Sequence, residues 1–330
     1  MTLSDKSASI ALIGAGYWGK NLFRVLNELK VLSALCETDN DVLSKYKREY
    51  PDIECCSSLK ALLGSKAISA VVIAAPAAKH YELTKMALEQ GKDVYVEKPL
   101  ALKALEGREL VELARRSKKV LMVGHILQYH PAVKKLKELI QDGQIGKIQY
   151  IYSNRLNIGK LRTEEDILLS FAPHDISVIL SLVGEEPLDI SASGGDYLNR
   201  GIYDTTLTSM SFKEGIRSHV FVSWLHPFKE QKLVIVGSRA MAVFDDLAAD
   251  KLKIYRHTIE WANGKEPIAH KADFEKVALE EGEPLKLELT HFLERLKDRK
   301  PPLTDGSEGL RVLKVIESAH RSLHEHEKEV

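Results

Sequence analysis

Residues 9–19 read Ser-Ile-Ala-Leu-Ile-Gly-Ala-Gly-Tyr-Trp-Gly, and Leu22, Val25, Leu26 and Leu29 follow. An unbroken apolar run has the texture of a strand buried on both faces. Apolar residues at i, i+3, i+4 and i+7 lay down the stripe of a helix. Between the two sits Gly14-x-Gly16-x-x-Gly19. In that context each glycine has a job: Gly14 permits the tight turn, Gly16 lets backbone approach a pyrophosphate, and Gly19 lets helix and strand pack closely. Tyr17 and Trp18 fall in the same cofactor loop, and the free N–H groups of the helix start favour phosphate. Glu37 ends the next apolar run, Val31–Cys36, and its carboxylate is placed to take ribose hydroxyls and repel a 2′-phosphate. Thr38 rather than an arginine follows it, so NAD is expected over NADP.

Working outward, the chain to about residue 124 alternates short apolar strands with amphipathic helices. The strands are Ser9–Ile13, Val31–Cys36, Ala70–Ala74, Asp93–Val96 and Val120–Val123. That rhythm predicts a parallel, doubly wound sheet. After about residue 145 the pattern becomes one of longer strands: 147–157, 204–212, 216–225, 232–236, 240–244 and 252–256. Lys213-Glu214-Gly215 and Gly237-Ser238-Arg239 suit antiparallel hairpin turns. A helix is expected at about 174–183, two more at about 285–298 and 305–325, and the polar stretch 258–284 reads as a long loop. The fold class is therefore α/β: residues 1–124 form an NAD-binding Rossmann domain. Residues 125–330 form an α+β domain with an open, mostly antiparallel sheet for substrate binding and oligomerisation. The C-terminal helix is able to pack back on the first domain.

Composition agrees with this reading. The chain has 330 residues, more than one core usually serves, with 44% hydrophobic and 28% charged residues. Forty-seven basic residues balance 47 acidic ones, leaving no excess to neutralise a nucleic-acid backbone. No apolar run approaches the roughly 18 residues of a membrane span, and the N-terminus lacks the apolar core of a secretory signal. The cysteines, Cys36, Cys55 and Cys56, offer neither a zinc pattern nor an unstrained bridge between neighbours. A cytoplasmic protein with reduced thiols and no metal is expected.

Val94-Tyr95-Val96-Glu97-Lys98-Pro99 sets a charged pair at the carboxyl end of an apolar strand, where open α/β sheets bind ligands. Pro99 keeps Lys98 extended. The glycine motif, Ala74-Ala75-Pro76 with His80, Gly91-Lys92-x-Val94-x-Val96-Glu97-Lys98-Pro99-Leu100, and Gly124 with His130-Pro131 together strongly resemble the glucose–fructose oxidoreductase / inositol dehydrogenase / MocA family. The resemblance spans nearly the whole chain and implies hydride transfer between NAD(P) and a sugar or polyol carbon. It also implies homo-oligomers, dimers or tetramers, formed through the C-terminal sheet. It places Lys98 at the substrate hydroxyl, and Glu97, Ala75, Pro76 and His80 about the cofactor.

The family's second catalytic element is an aspartate four residues before a histidine at a helix start. Here the stretch is Ser170-Phe171-Ala172-Pro173-His174-Asp175, so His174 matches and Ser170 stands in place of the aspartate. At a helix N-terminus the imidazole would stay neutral and accept the hydroxyl proton. Asp175 reads either as a partial substitute for the missing aspartate or as a first-turn carboxylate stabilised by the dipole. Period-2 alternation puts Ser153, Arg155 and Asn157 on one strand face, followed by Gly159, Lys160 and Arg162, a basic, amide-bearing cluster suited to phosphate or carboxylate. A solvated sheet edge or a subunit contact accounts for the same residues. Tyr129, by family position, adjoins the substrate.

The run Tyr152–Gly159, with Ala172–Ser177, is similar to dehydrogenases acting at carbon 3 of UDP-linked N-acetylhexosamines or their uronic acids, enzymes of surface-polysaccharide synthesis. That gives an NAD-dependent nucleotide-sugar dehydrogenase as the expected function. A free-polyol dehydrogenase of the inositol type is the alternative. A non-catalytic dinucleotide-binding regulator is the reading from another class, which Lys98 and His174 together oppose.

Overall fold

The computed structural model describes residues 9–159 and 161–327. Lys160 of the basic cluster and the N-terminal residues 1–8 lie outside the described residues. In chain order the first half runs β1 (Ile10–Ile13), α1 (Gly19–Glu28), β2 (Leu32–Cys36), α2 (Asn40–Glu49), β3 (Glu54–Cys56) and α3 (Leu59–Gly64). Then come β4 (Ala70–Ile73), α4 (His80–Glu89), β5 (Asp93–Glu97), α5 (Ala104–Ser117) and β6 (Leu121–Gly124). The remainder runs α6 (Pro131–Gln141), β7 (Ile148–Leu156), α7 (Ile167–Val183), β8 (Asp189–Gly195), β9 (Thr205–Ser211), β10 (Arg217–Ser223), β11 (Glu230–Gly237) and β12 (Met241–Asp245). It closes with β13 (Leu252–Tyr255), β14 (Thr258–Ala262), β15 (Glu266–His270), β16 (Phe274–Lys276), α8 (Pro284–Asp298) and α9 (Gly306–Glu327).

Two compact units result. The first holds the described residues to Ile126 together with Glu283–Leu313; the second holds Leu127–Gly282 and the chain from Lys314. The first unit is built on a six-stranded parallel sheet in the order β3-β2-β1-β4-β5-β6. Every residue of β1, β4 and β6 is buried, which is why those strands are apolar throughout. β3, absent from the expected strands, is a short edge strand whose residues are half-buried or exposed. It has no apolar run to announce it.

Segment 283–313, expected in the second domain, belongs to the first unit for identifiable reasons. Thr304 and Val123 exchange two hydrogen bonds, N–H of Val123 to the Thr304 carbonyl at 2.8 Å and Thr304 Oγ1 to the Val123 carbonyl at 2.7 Å. Arg299 forks onto Asp93 at 2.8 and 2.9 Å. Leu310 and Leu313 close against Gly107, whose missing side chain leaves them room. Phe292 of α8 is fully buried, edge-on to Tyr95 of β5 at 5.9 Å between ring centres.

The second unit is an eight-stranded sheet in the order β16-β13-β12-β11-β7-β10-β9-β8. Its pairs are antiparallel except β7 with β10, which run parallel. Both expected hairpins form, β9–β10 and β11–β12. Alternation along β9 and β10 buries Thr206, Thr208, Met210, Ser218, Val220 and Val222 on the side covered by α7. The stretch 258–284, read as a loop, instead carries the separate hairpin β14–β15 and the edge strand β16. α7 begins seven residues before its expected start, because Asp166 caps it by accepting from Leu169 N–H at 3.0 Å and Pro173 is accommodated inside it. Among the described residues no helix is long and apolar enough to cross a membrane.

Phe292→Ala should cost about 3–5 kcal/mol, the usual loss for a fully buried phenylalanine. It would appear as a lower urea midpoint, with hydrogen-exchange protection lost first in β5 and β6.

Candidate active site

In the first unit the site is assembled at the carboxyl ends of β1, β2, β4 and β5, where the chain leaves the sheet. Gly14 turns with φ +91°, and a Cβ there would come within 3.0 Å of the Ala74 carbonyl oxygen. At Gly19 a Cβ would fall 2.2 Å from the Gly14 carbonyl oxygen, whereas at Gly16 it would meet nothing within 4 Å. Two of the three glycines are thus required by packing. The middle one leaves open backbone, which is the shape a dinucleotide pyrophosphate requires.

Carboxylates hold this loop from both sides, one at the end of β2 and one at the end of β5. Glu37 Oε2 accepts from Ala15 N–H at 2.7 Å, and its Oε1 accepts from the N–H groups of Thr38 and Asp39 at 2.7 and 3.1 Å. Glu97 Oε1 accepts from the Trp18 indole N–H at 2.7 Å, and Oε2 from the Lys98 N–H at 3.3 Å. Burial raises the Glu97 pKa, opposed by the Lys98 ammonium and by the Trp18 and Tyr95 donors. Tyr17 stands exposed, with the Lys20 ammonium over its ring.

The Lys98–Pro99 peptide is cis. His80, fully buried at the start of α4, reaches the Pro99 carbonyl through Nδ1 at 2.6 Å and the Ala75 carbonyl through Nε2 at 2.9 Å. It therefore ties the loop after β5 to the loop after β4. Burial lowers its pKa, the two carbonyls oppose that, and the nearby Lys98 charge adds to it. Lys98 itself is half-buried, with Glu97 and His80 both within its field. Pro76 is exposed. Every cofactor residue expected from sequence in this unit lies on these three loops or at the end of β2. Sequence reasoning missed two further groups: Tyr95, whose hydroxyl lies 3.1 Å from Glu97 Oε1, and Glu288 of α8, 3.0 Å from the same hydroxyl.

In the second unit Arg155 and Asp175 form a buried ion pair, Nε to Oδ2 at 2.6 Å and Nη2 to Oδ1 at 3.2 Å. Ser153 Oγ donates to the same carboxylate at 2.6 Å. Attraction to Asp175 raises the Arg155 pKa against the opposing effect of burial. Asp175 lies in the middle of α7, so it is not a first-turn carboxylate, and His174, half-buried beside it, is not at a helix N-terminus. The dipole argument for a neutral His174 therefore falls. Ser170 and Tyr129 are buried. Gln128, also buried, donates to Ser177 Oγ at 2.8 Å and accepts from Lys137 Nζ at 2.6 Å. Asn157 and Arg162 differ from Arg155. Asn157 Oδ1 and Arg162 Nε are buried without a hydrogen-bond partner among the described residues, Arg162 Nε standing 3.7 Å from Glu165. No cluster of His, Cys, Asp or Glu among the described residues is arranged to hold a metal ion.

Comparison with known proteins matches residues 8–125 to the model of an oxidoreductase family with an NAD-binding Rossmann fold, and residues 133–243 to the GFO/IDH/MocA C-terminal domain. The chain is 26% identical to the UDP-N-acetylglucosamine 3-dehydrogenase of Acidithiobacillus ferrooxidans, over 92% of this chain and 93% of that one. It is 23% identical to the myo-inositol 2-dehydrogenase of Thermotoga maritima, over 89% of each. A solved structure of the Acidithiobacillus ferrooxidans enzyme superimposes with a TM-score of 0.83 at 24% identity, over 96% of this chain and 97% of that one. A levoglucosan dehydrogenase solved with NADH and levoglucosan superimposes with a TM-score of 0.82 at 20% identity, over 96% and 97% of the two chains. Both of those solved structures bear on the fold. With a glycine loop shaped for a dinucleotide, and with both family domains in order along one chain, the protein belongs to the GFO/IDH/MocA family of NAD-binding oxidoreductases.

Proposed function

We propose that the protein is a dehydrogenase that oxidises a secondary hydroxyl of a sugar, at carbon 3 of a UDP-linked N-acetylhexosamine or its uronic acid. The observation that carries the reading is Lys98. It leaves the carboxyl end of β5 half-buried, on a loop joined through Glu97 to Trp18 of the cofactor loop and through His80 to the loop after β4. A surface lysine needs no such fixing, whereas a lysine that must meet one hydroxyl does.

NAD, when bound, supplies the hydride acceptor. Lys98 donates a hydrogen bond to the substrate hydroxyl oxygen and stabilises its developing alkoxide character. His174 accepts the hydroxyl proton. Glu37 takes the ribose hydroxyls and sets the preference for NAD. The nucleotide part of the substrate is read by Asn157 and Arg162, whose buried Oδ1 and Nε have no hydrogen-bond partner among the described residues, while Arg155, Asp175, Ser170 and Tyr129 shape and support that region. The resemblance of 152–159 to nucleotide-sugar dehydrogenases favours this substrate over a free polyol. The open sheet of the second unit serves as the surface for a homo-oligomer.

Lys98→Ala should lower kcat at least ~10²-fold with NAD binding nearly intact, and His174→Ala should lower it on a similar scale; near-normal turnover in either variant removes that residue from the chemistry. Glu37→Ala should reduce discrimination against NADP by about tenfold, the worth of a hydrogen bond to a charged group, read as the ratio of the two kcat/KM values. Turnover measured with NAD on UDP-sugars, inositol and glucose tests the substrate. A preference for inositol would transfer the assignment to the polyol enzymes, and NAD binding without turnover on any alcohol would make the protein a regulator.

A further inference from the structure

Beneath the cofactor loop lies a polar group that the proposed chemistry does not use. Glu288 projects from α8 into the first unit and is 0% exposed, as is Tyr95. The Tyr95 oxygen stands 3.0 Å from Glu288 Oε2 and 3.1 Å from Glu97 Oε1. A phenol has one hydrogen, so it cannot donate to both carboxyls at once. One carboxyl must itself carry a proton and donate to the phenol oxygen. Glu97 receives two further donors, the Trp18 indole and the Lys98 N–H, and lies near the Lys98 ammonium, which suits an ionised group. Glu288 has no such company: its Oε1 is buried without a partner among the described residues.

We propose that Glu288 is a positioning residue for the cofactor loop, a neutral carboxylic acid that donates to Tyr95 and thereby commits the Tyr95 hydroxyl to the Glu97 carboxylate that anchors Trp18. The order of donors is Glu288 to Tyr95 to Glu97, with a single proton held between the two carboxyls and the phenol proton fixed in direction. Gly124 of β6 is shaped to the arrangement, since a Cβ there would lie 2.6 Å from the Tyr95 oxygen and 3.0 Å from the Glu97 carboxyl.

The charged surroundings agree. From β5 Glu288 faces Tyr95 and Glu97, and from α9 it faces Glu308, which is paired with His125 at 2.6 Å. From α1, Arg24 and Glu28 meet Glu283 and Lys286 at the exposed side of α8. Burial, with repulsion from Glu97 and Glu308, lifts the Glu288 pKa well above the usual carboxylate range, against the opposing Tyr95 hydrogen bond. Burial and both carboxyls likewise raise that of Tyr95. A raised acid pKa keeps the neutral form to higher pH than an ordinary carboxyl allows, and rising pH is the direction in which it is lost. Once Glu288 ionises, two carboxylates compete for one phenol hydrogen and the Trp18 anchor weakens.

The test is NAD affinity, measured by calorimetry on the full-length protein between about pH 6 and about pH 10. Wild type should lose about tenfold toward the alkaline end, the scale of one charge-assisted hydrogen bond. Glu288→Gln keeps a donor toward Tyr95 and cannot ionise, so its affinity should hold to a higher pH. Tyr95→Phe keeps the ring packed on Phe292 but removes the bridge. It should bind NAD about tenfold more weakly at neutral pH and lose the Glu288-dependent limb. Superimposable pH profiles for wild type and Glu288→Gln, or neutral-pH binding in Tyr95→Phe equal to wild type, would overturn the proposal. A purely packing role for Glu288 would shift unfolding midpoints and leave the pH profile alone. NAD binding is read directly, so the outcome is independent of which sugar is oxidised.

Discussion

At Gly19 there is room for a hydrogen atom and nothing larger, because the Gly14 carbonyl oxygen already occupies the space. That contact fixes how β1 passes into α1, and it aims the free N–H groups at the start of the helix across the open backbone of Gly16. The loop is then anchored from both directions in the sheet. β2 lies on one side of β1 and supplies Glu37 to the Ala15 N–H; β5, beyond β4 on the other side, supplies Glu97 to the Trp18 indole. Two carboxylates at strand ends thus hold a loop whose own electrostatics favour anions, and one of them is the neighbour of Lys98. Cofactor recognition and the placement of the lysine are consequences of one packing constraint.

What could be read from sequence follows from where each residue's partners lie. The parallel sheet was legible because strands buried on both faces are apolar without interruption, and the glycine loop because its neighbours in sequence are also its neighbours in space. β3 was not, since an exposed edge strand of three residues carries no pattern. α7 was only half legible. Its first turns, Ile167–Ala172, are largely buried around the helix, so no polar face marks the 3.6-residue period, and Pro173 gives a stop signal that the fold does not obey. That single misreading carried two others with it: His174 at a helix start and Asp175 in a first turn. For Glu288 a signal did exist. It falls on the same stripe as Leu285, Leu289 and Phe292, and an acid at an apolar-face position is more informative than one on a polar face.

Two of the buried acids, Asp175 and Glu288, solve the same problem in opposite ways. Removing a carboxylate from water is expensive unless a cation and hydrogen bonds replace the solvent. Asp175 receives both from β7, a guanidinium from Arg155 and a hydroxyl from Ser153. Among the described residues Glu288 meets the Tyr95 phenol and the charges of Glu97 and Glu308, so its inexpensive state is the neutral one. The first solution gives an ion pair that ties β7 to α7, the second a neutral acid that serves as a hydrogen-bond donor.

The Arg155 pairing also changes how the basic cluster after β7 should be understood. A guanidinium already forked onto a buried carboxylate brings little net charge to a ligand, and drawing it away would leave Asp175 uncompensated in the interior, a loss of several kcal/mol. Recruiting Arg155 to bind a diphosphate directly would therefore oppose its own binding energy. Arg162 and Asn157 carry a smaller penalty: Arg162 Nε stands 3.7 Å from Glu165, beyond hydrogen-bond distance, and it and Asn157 Oδ1 are buried without hydrogen-bond partners among the described residues. A ligand that satisfies them gains free energy from groups now paying for desolvation. Under the proposed function, recognition of the substrate's charged portion accordingly passes from Arg155, which holds α7 against the sheet, to the loop that follows β7.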